Sequence, residues 1–122
     1  MAWNVELAPE FEPEADALPE DVRRQLVASA IVLRTEGPMA KRPHVDTLKG
    51  SKHANMKELR FSAAGGVWRI AFAFDPVRNA ILLVAGDKSG KSERIFYKRL
   101  IAIADRRFDR HLQGAAARQG GS

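Results

Sequence analysis

Apolar and polar residues alternate from Trp3 to Leu7, the period of a short strand with one buried face. Phe11, Ala15 and Leu18 follow at helical spacing. Leu18-Pro19-Glu20-Asp21 reads as the start of a second helix, because Pro fits a first turn and acids there favour the dipole. Val22, Leu26, Ala30 and Leu33 line one side of it, and Gly37-Pro38 stops it. The result is a helical hairpin. Residues 38–55 show no clear period and read as a basic loop with a short strand near Val45.

Three strands come next. Met56 to Phe61 is the first, and Ala63-Ala64-Gly65-Gly66 turns it into the second. In the second, Val67 to Phe74, one face carries Trp68, Ile70, Phe72 and Phe74, and the other carries Arg69, Ala71 and Ala73. Residues 75–79 form a longer turn. Ala80 to Ala85 is a continuous apolar run, as in a central strand buried on both faces. After a basic loop, Gly86 to Lys91, a last helix opens at Ser92 as N-cap, with Phe96, Leu100, Ile103, Ala104, Phe108 and Leu112 as its stripe. Gly114 is its expected end. The predicted order is β-α-α-β-β-β-α: an α+β domain over residues 1–113, with a mainly antiparallel sheet and helices packed on one face. Residues 114–122 are expected to form a flexible tail.

Composition narrows the chemistry. The 122 residues suit one domain and contain no cysteine, which removes disulfides, thiolate metal sites and thiol nucleophiles. No apolar run approaches the roughly 18 residues of a membrane helix, and the first residues lack the pattern of a secretory signal, so a cytoplasmic protein is expected. The net charge of +5 is unevenly spread. Residues 1–36 carry three Arg against eight acids, whereas residues 41–100 carry thirteen Lys and Arg against five. That split suits a polyanion on one face, or a basic face that is simply solvated.

The order of elements, with Val45-Asp46-Thr47-Leu48-Lys49-Gly50-Ser51, Asn55-Met56-Lys57-Glu58-Leu59-Arg60-Phe61, Val67 to Phe74 and Phe96-Tyr97-Lys98, resembles the RelE/ParE/HigB superfamily of toxins, and most closely its phage-derived HigB-like branch. The likeness covers residues 3–112. It implies a RelE-like sheet with a basic face, cleavage of messenger RNA on the ribosome, and a cognate antitoxin protein that blocks the toxin. The ParE branch shares the fold but targets gyrase, so the fold alone does not fix the task. A nucleic-acid-binding phage protein without toxicity is a third possibility.

RNA cleaves when its 2′-OH attacks the adjacent phosphorus in line. A base, positive charge for the phosphorane oxygens and an acid for the leaving oxygen suffice, without a metal or other cofactor. Arg69 is the first candidate: it stands alone in an apolar strand, and Ala71 and Ala73 beside it leave room for a ligand. Arg60 shares that face by alternation, and both suit phosphate recognition. A surface ion pair with Glu58 or Asp87 is the alternative use for them. Simple alternation points Lys57 toward the core, and a bulge would redirect it; the resemblance assigns a Lys near this point to cleavage. It also assigns an Arg and a Tyr near the C-terminal end, here Arg94 and Tyr97. Lys49, Lys52, His53, Lys88, Lys91 and Lys98 are candidates for contact with RNA. Lys88-Ser89-Gly90-Lys91 lacks the spacing of a phosphate-binding P-loop. No His-x-x-x-His pair occurs and acids are scarce in the basic region, so no metal site is expected.

Overall fold

The computed structural model describes residues 3–120. Strand β1 (Asn4–Leu7) leads into helices α1 (Glu12–Asp16) and α2 (Glu20–Glu36) and a single 3₁₀ turn (Gly37–Met39). Strands β2 (Val45–Thr47), β3 (Lys57–Ala63), β4 (Gly66–Phe74) and β5 (Asn79–Asp87) follow, then helix α3 (Glu93–Gly120). The sheet order is β1-β5-β4-β3-β2. Only the β1–β5 pair is parallel. The two N-terminal helices supply the crossover that a parallel pair needs. The α+β class and the short strand at Val45 are both found, and the first strand lies at one edge of the sheet.

The β3–β4 turn places both central residues at positive φ, Ala64 at 50° and Gly65 at 75°. This is the mirror-image turn whose twist matches a hairpin. At the end of α2, Gly37 takes φ 54° and lets Trp3 lie directly against its backbone. A Cβ there would sit 2.3 Å from Trp3 Nε1. Trp3 in turn meets the edge of Phe74 at 4.8 Å between centroids. The α2 end therefore covers the face of β4 that carries Ile70, Phe72 and Phe74, all buried.

Helix α3 covers the opposite face, which corrects the expectation that the helices share one side. Gly86, paired with Arg69 across the strands, would place a Cβ 2.8 Å from the Phe96 ring. Ala71 and Ala73 on the same face are fully buried. The small residues of this face admit a packed helix, where they had been expected to leave room for a ligand. The core cluster consequently includes both faces of β4 and β5 together with Phe96, Leu100, Ala104 and Phe108.

The helix also runs past its expected end. Gly114 lies inside α3, which continues to Gly120. A lone Gly weakens a helix by about 1 kcal/mol but does not stop one, and the alanines after it favour continuation. Of the tail expected at 114–122, residues 121–122 lie outside the described residues. Among the described residues no helix is long and apolar enough to cross a membrane.

Polar contacts fix the second half of α3 to the sheet and loops. Ser51 and the Lys52 amide donate to Asp105, and Lys52 and His53 meet Asp109. Arg107 donates to the Leu83 carbonyl and pairs with Glu14 of α1. His111 Nε2 lies 2.8 Å from Asp75, whose other contacts come from the Val77 and Asn79 amides and the Asn79 side chain. Burial pushes the Asp75 carboxyl up, but these donors outweigh burial and hold it below its ordinary range.

Gly37→Ala should lower unfolding stability by about 2–4 kcal/mol through strain and the clash with Trp3. Gly65→Ala, with open space around it, should lower it by only about 1 kcal/mol; paired urea titrations read both. Asp75→Asn should cost about 1–3 kcal/mol at pH 7. Because the folded carboxyl has the lower pKa, its contribution is present above the ordinary carboxylate range and disappears as pH falls through the depressed value. The gap between variant and parent should therefore narrow in urea titrations carried toward pH 3.

Candidate nucleic-acid interface

Alternation along β3 and β4 sets Arg60 directly opposite Arg69 and Glu58 opposite Ala71. All of these side chains point to the α3 face, as does Asp46 of β2, which pairs with Glu58. Two guanidinium groups side by side on neighbouring strands repel. Acids on the same face relieve this: Glu58 Oε1 lies 3.3 Å from Arg69 Nε, and Asp46 Oδ2 lies 3.6 Å from Arg60 Nη1.

Helix α3 adds Tyr97 to the first of these pairs. Its hydroxyl donates to Glu58 Oε1 at 2.8 Å and accepts from Arg69 Nε at 3.2 Å. Arg69 Nη1 donates to the Trp68 carbonyl. The Glu58 and Arg69 side chains are each only 7% exposed. Burial pushes the Glu58 carboxyl above its ordinary range, against the hydrogen bond from Tyr97 and the charges of Arg69 and Arg60. Burial and the Glu58 contact raise the Tyr97 phenol, so it stays protonated near neutral pH.

Beside this cluster an open groove of about 320 Å³ is lined by Arg42, Pro43, Arg60, Phe61, Val67 and Arg69, among others. Arg42 reaches Asp46 at 2.7 Å and holds that carboxyl below its ordinary range, with help from the Thr47 amide. Arg60 is 30% exposed and Arg42 is 74% exposed, so both are open to a ligand. The arrangement offers three guanidinium groups for phosphate, a phenol that holds a proton, and a carboxylate able to take one.

The structure therefore brings Arg69, Arg60 and Tyr97 together. Lys88 sits at their margin, on Glu93 and 5.9 Å from the Tyr97 ring centre. Lys91 bonds to the Asp87 carbonyl and faces Phe96. Arg94 and Lys98 are exposed on the first turns of α3. Lys57 pairs with Phe72 across the strands and so lies on the α2 face, away from the cluster, as simple alternation requires. Lys52 and His53 meet Asp109, about 18 Å along α3 from Tyr97 at the rise of a helix. Lys49 is exposed in the loop before them. Among the described residues no group of three or more His, Cys, Asp or Glu converges. Glu58 as a member of the site, with Arg42 and Asp46, escaped the sequence reading. The alternation that paired Arg60 with Arg69 also carries Glu58, two residues earlier on the same strand.

The ion pair has a direct stability consequence. Arg69→Ala leaves Glu58 buried without its cation and should cost about 3–5 kcal/mol in chemical denaturation. Glu58→Leu combined with Arg69→Met should recover most of that loss, since neither charge then remains buried.

The family model described as phage-derived protein Gp49-like (DUF891) matches residues 13–109. The candidate toxin HigB3 of Mycobacterium tuberculosis is 44% identical over 115 residues, covering 94% of this chain and 96% of that protein. The candidate toxin HigB2 of the same organism is 50% identical over 90 residues, covering 72% of this chain but only 44% of its own length. Among solved structures, a double mutant of the Escherichia coli toxin RelE in its free state aligns with TM-score 0.62 at 15% identity over 88% of this chain and 98% of that one. A chain of an archaeal RelE–RelB complex from Pyrococcus horikoshii aligns with TM-score 0.54 at 17% identity, covering 75% of this chain and all of the other. The two structural likenesses establish the RelE-like fold, and the family match with the two relatives establishes descent: this chain belongs to the Gp49-like family of phage-derived proteins, within the RelE/HigB superfamily of toxin–antitoxin toxins.

Proposed function

We propose that this toxin cuts messenger RNA on the ribosome by metal-independent attack of a 2′-OH, and that a cognate antitoxin protein restrains it in the cytoplasm. The observation that carries this reading is the cross-strand pair Arg60–Arg69, set beside Glu58 and Tyr97 and opening on a groove that Arg42 also lines. Two guanidinium groups held against their own repulsion are a ready site for a phosphate.

The chemistry divides among these residues. Arg42 and Arg60 take the RNA backbone from the groove. Glu58 accepts the proton of the 2′-OH, a role its raised pKa suits. The 2′ oxygen bonds to phosphorus, and Arg69 and Arg60 stabilise the charge that gathers on the phosphorane. The bond from phosphorus to the 5′ oxygen then breaks, and the leaving oxygen takes the Tyr97 proton. Glu58 returns its proton to Tyr97 when the product leaves and the hydrogen bond between them closes again. The products are a 2′,3′-cyclic phosphate and a 5′-OH end. Tyr97 covers Glu58 in this structure, so entry of RNA moves that turn of α3 outward.

One observation favours a second reading. Glu58 and Arg69 satisfy each other and are almost closed to water. A cluster with a purely architectural task would leave a toxin that acts by binding a protein target such as gyrase, as the ParE branch does.

The test is induction of the chain without an antitoxin, with RNA 5′ ends mapped across the transcriptome. The ribonuclease reading predicts new ends inside translated codons. Arg60→Ala should reduce them at least about tenfold while leaving the melting temperature within about 2 °C, because that side chain is partly exposed and its nearest acid keeps Arg42. Growth arrest with no new ends would establish the target-binding reading instead.

A further inference from the structure

Strand β5 has nine residues, but β1 pairs with only the first four, Asn79 to Leu82. The side of β5 that faces away from β4 is therefore without a strand from Leu83 to Asp87. The hydrogen-bond pattern shows which groups this leaves open. Lys88 N donates to Val67 O, which makes that opposed pair a hydrogen-bonded one. Alternation then makes Arg69–Gly86 and Ala71–Val84 the bonded pairs and Ile70–Ala85 the non-bonded one. The Ala85 N–H and C=O consequently point away from β4.

Side chains cap the edge on both sides of this residue. Arg107 Nη1 donates to the Leu83 carbonyl at 2.8 Å, and Lys91 Nζ donates to the Asp87 carbonyl at 2.8 Å. Among the described residues, no side chain and no loop backbone forms a hydrogen bond with the Ala85 N–H or C=O. Beside them a groove of about 400 Å³ runs between the strand and α3. Ala85 and Gly86 form one wall, and Ile95 and Ile103 the other. Ile95 is 53% exposed. The charged groups at its rim are Lys91 and Arg99, with no acid among the lining residues.

We infer that this half-edge of β5 receives one extended segment of the antitoxin, an apolar stretch with acidic residues, which pairs with Ala85 as a short added strand. The inference rests on the toxin–antitoxin reading and says where and how the partner docks. Ladder bonds to Ala85 set the register, and a side chain at alternate positions enters between Ile95 and Ile103. Acids on the segment meet Lys91 and Arg99. The two capped carbonyls limit the added strand to the short stretch between them. The segment would lie along the turns of α3 that carry Tyr97, so docking here bears on the candidate site without entering it.

The experiment is amide hydrogen exchange, read by NMR, on the full chain alone and with the purified product of the adjacent gene. Binding to the Ile95→Glu/Arg99→Glu variant is measured in parallel. The expected result is at least tenfold slower exchange at Ala85 in the complex, and at least tenfold weaker binding by the variant at an unchanged melting temperature. A complex that leaves Ala85 unprotected, or that forms equally well with the variant, overturns the inference and leaves the toxin reading standing. Protection of Ala85 in the chain alone that grows with its concentration would put a second copy on the edge and overturn it too. No complex at micromolar concentrations would remove both the inference and the antitoxin reading beneath it.

Discussion

The buried carboxylate of Glu58, held between Arg69 and Tyr97, ties the sheet to the helix that covers it. Arg69 enters from β4, Glu58 from β3 and Tyr97 from α3. Each needs the others: the carboxylate is closed to water, and an unpaired charge in that position would cost several kcal/mol. Small residues set the distance at which the three meet. Gly86 admits the Phe96 ring, and Ala71 and Ala73 admit the middle of the helix. Larger side chains at these positions would lift α3 and part Tyr97 from Glu58.

The same constraint separates two surfaces. On the β3 side, guanidinium groups stay exposed because the nearby acids, Asp46 and Glu58, are too few to cover them. On the β5 side, α3 leaves an apolar channel along a strand edge that β1 is too short to fill. On the proposed reading one of these places acts on RNA and the other takes the restraining partner, and both flank the same turns of α3. The fold itself is shared with proteins of different tasks, so this division rests on the residues and not on the architecture.

Much of this was legible in the sequence. Strand periods, the Gly37-Pro38 stop, the turn over Ala63-Ala64-Gly65-Gly66 and the apolar run of β5 each carry a local signal. Alternation also placed Arg60 beside Arg69 and turned Lys57 away. What failed was long-range. Ala71 and Ala73 read as room for a ligand because nothing local shows that a helix will fill the space. Gly114 read as an end because its helix-breaking tendency was weighed without the alanines after it. Lys52 and His53 read as part of the site because the loop that carries them was free in the sequence, whereas Asp105 and Asp109, more than fifty residues on, bind it to the far half of α3. Glu58 was read only as a surface partner, since its burial depends on that same helix.

Single-turnover cleavage of ribosome-bound messenger RNA by Glu58→Gln, compared with the parent chain, tests the central claim most directly. The substitution keeps the shape of the side chain and its contact with Tyr97 but removes the proton acceptor. The predicted result is a loss of about 10²–10⁴-fold in rate, read at a temperature where the variant, destabilised by its unpaired Arg69, is still folded. Cleavage by the variant at the parent rate would contradict the role given to Glu58 and leave the cluster as an architectural tie alone.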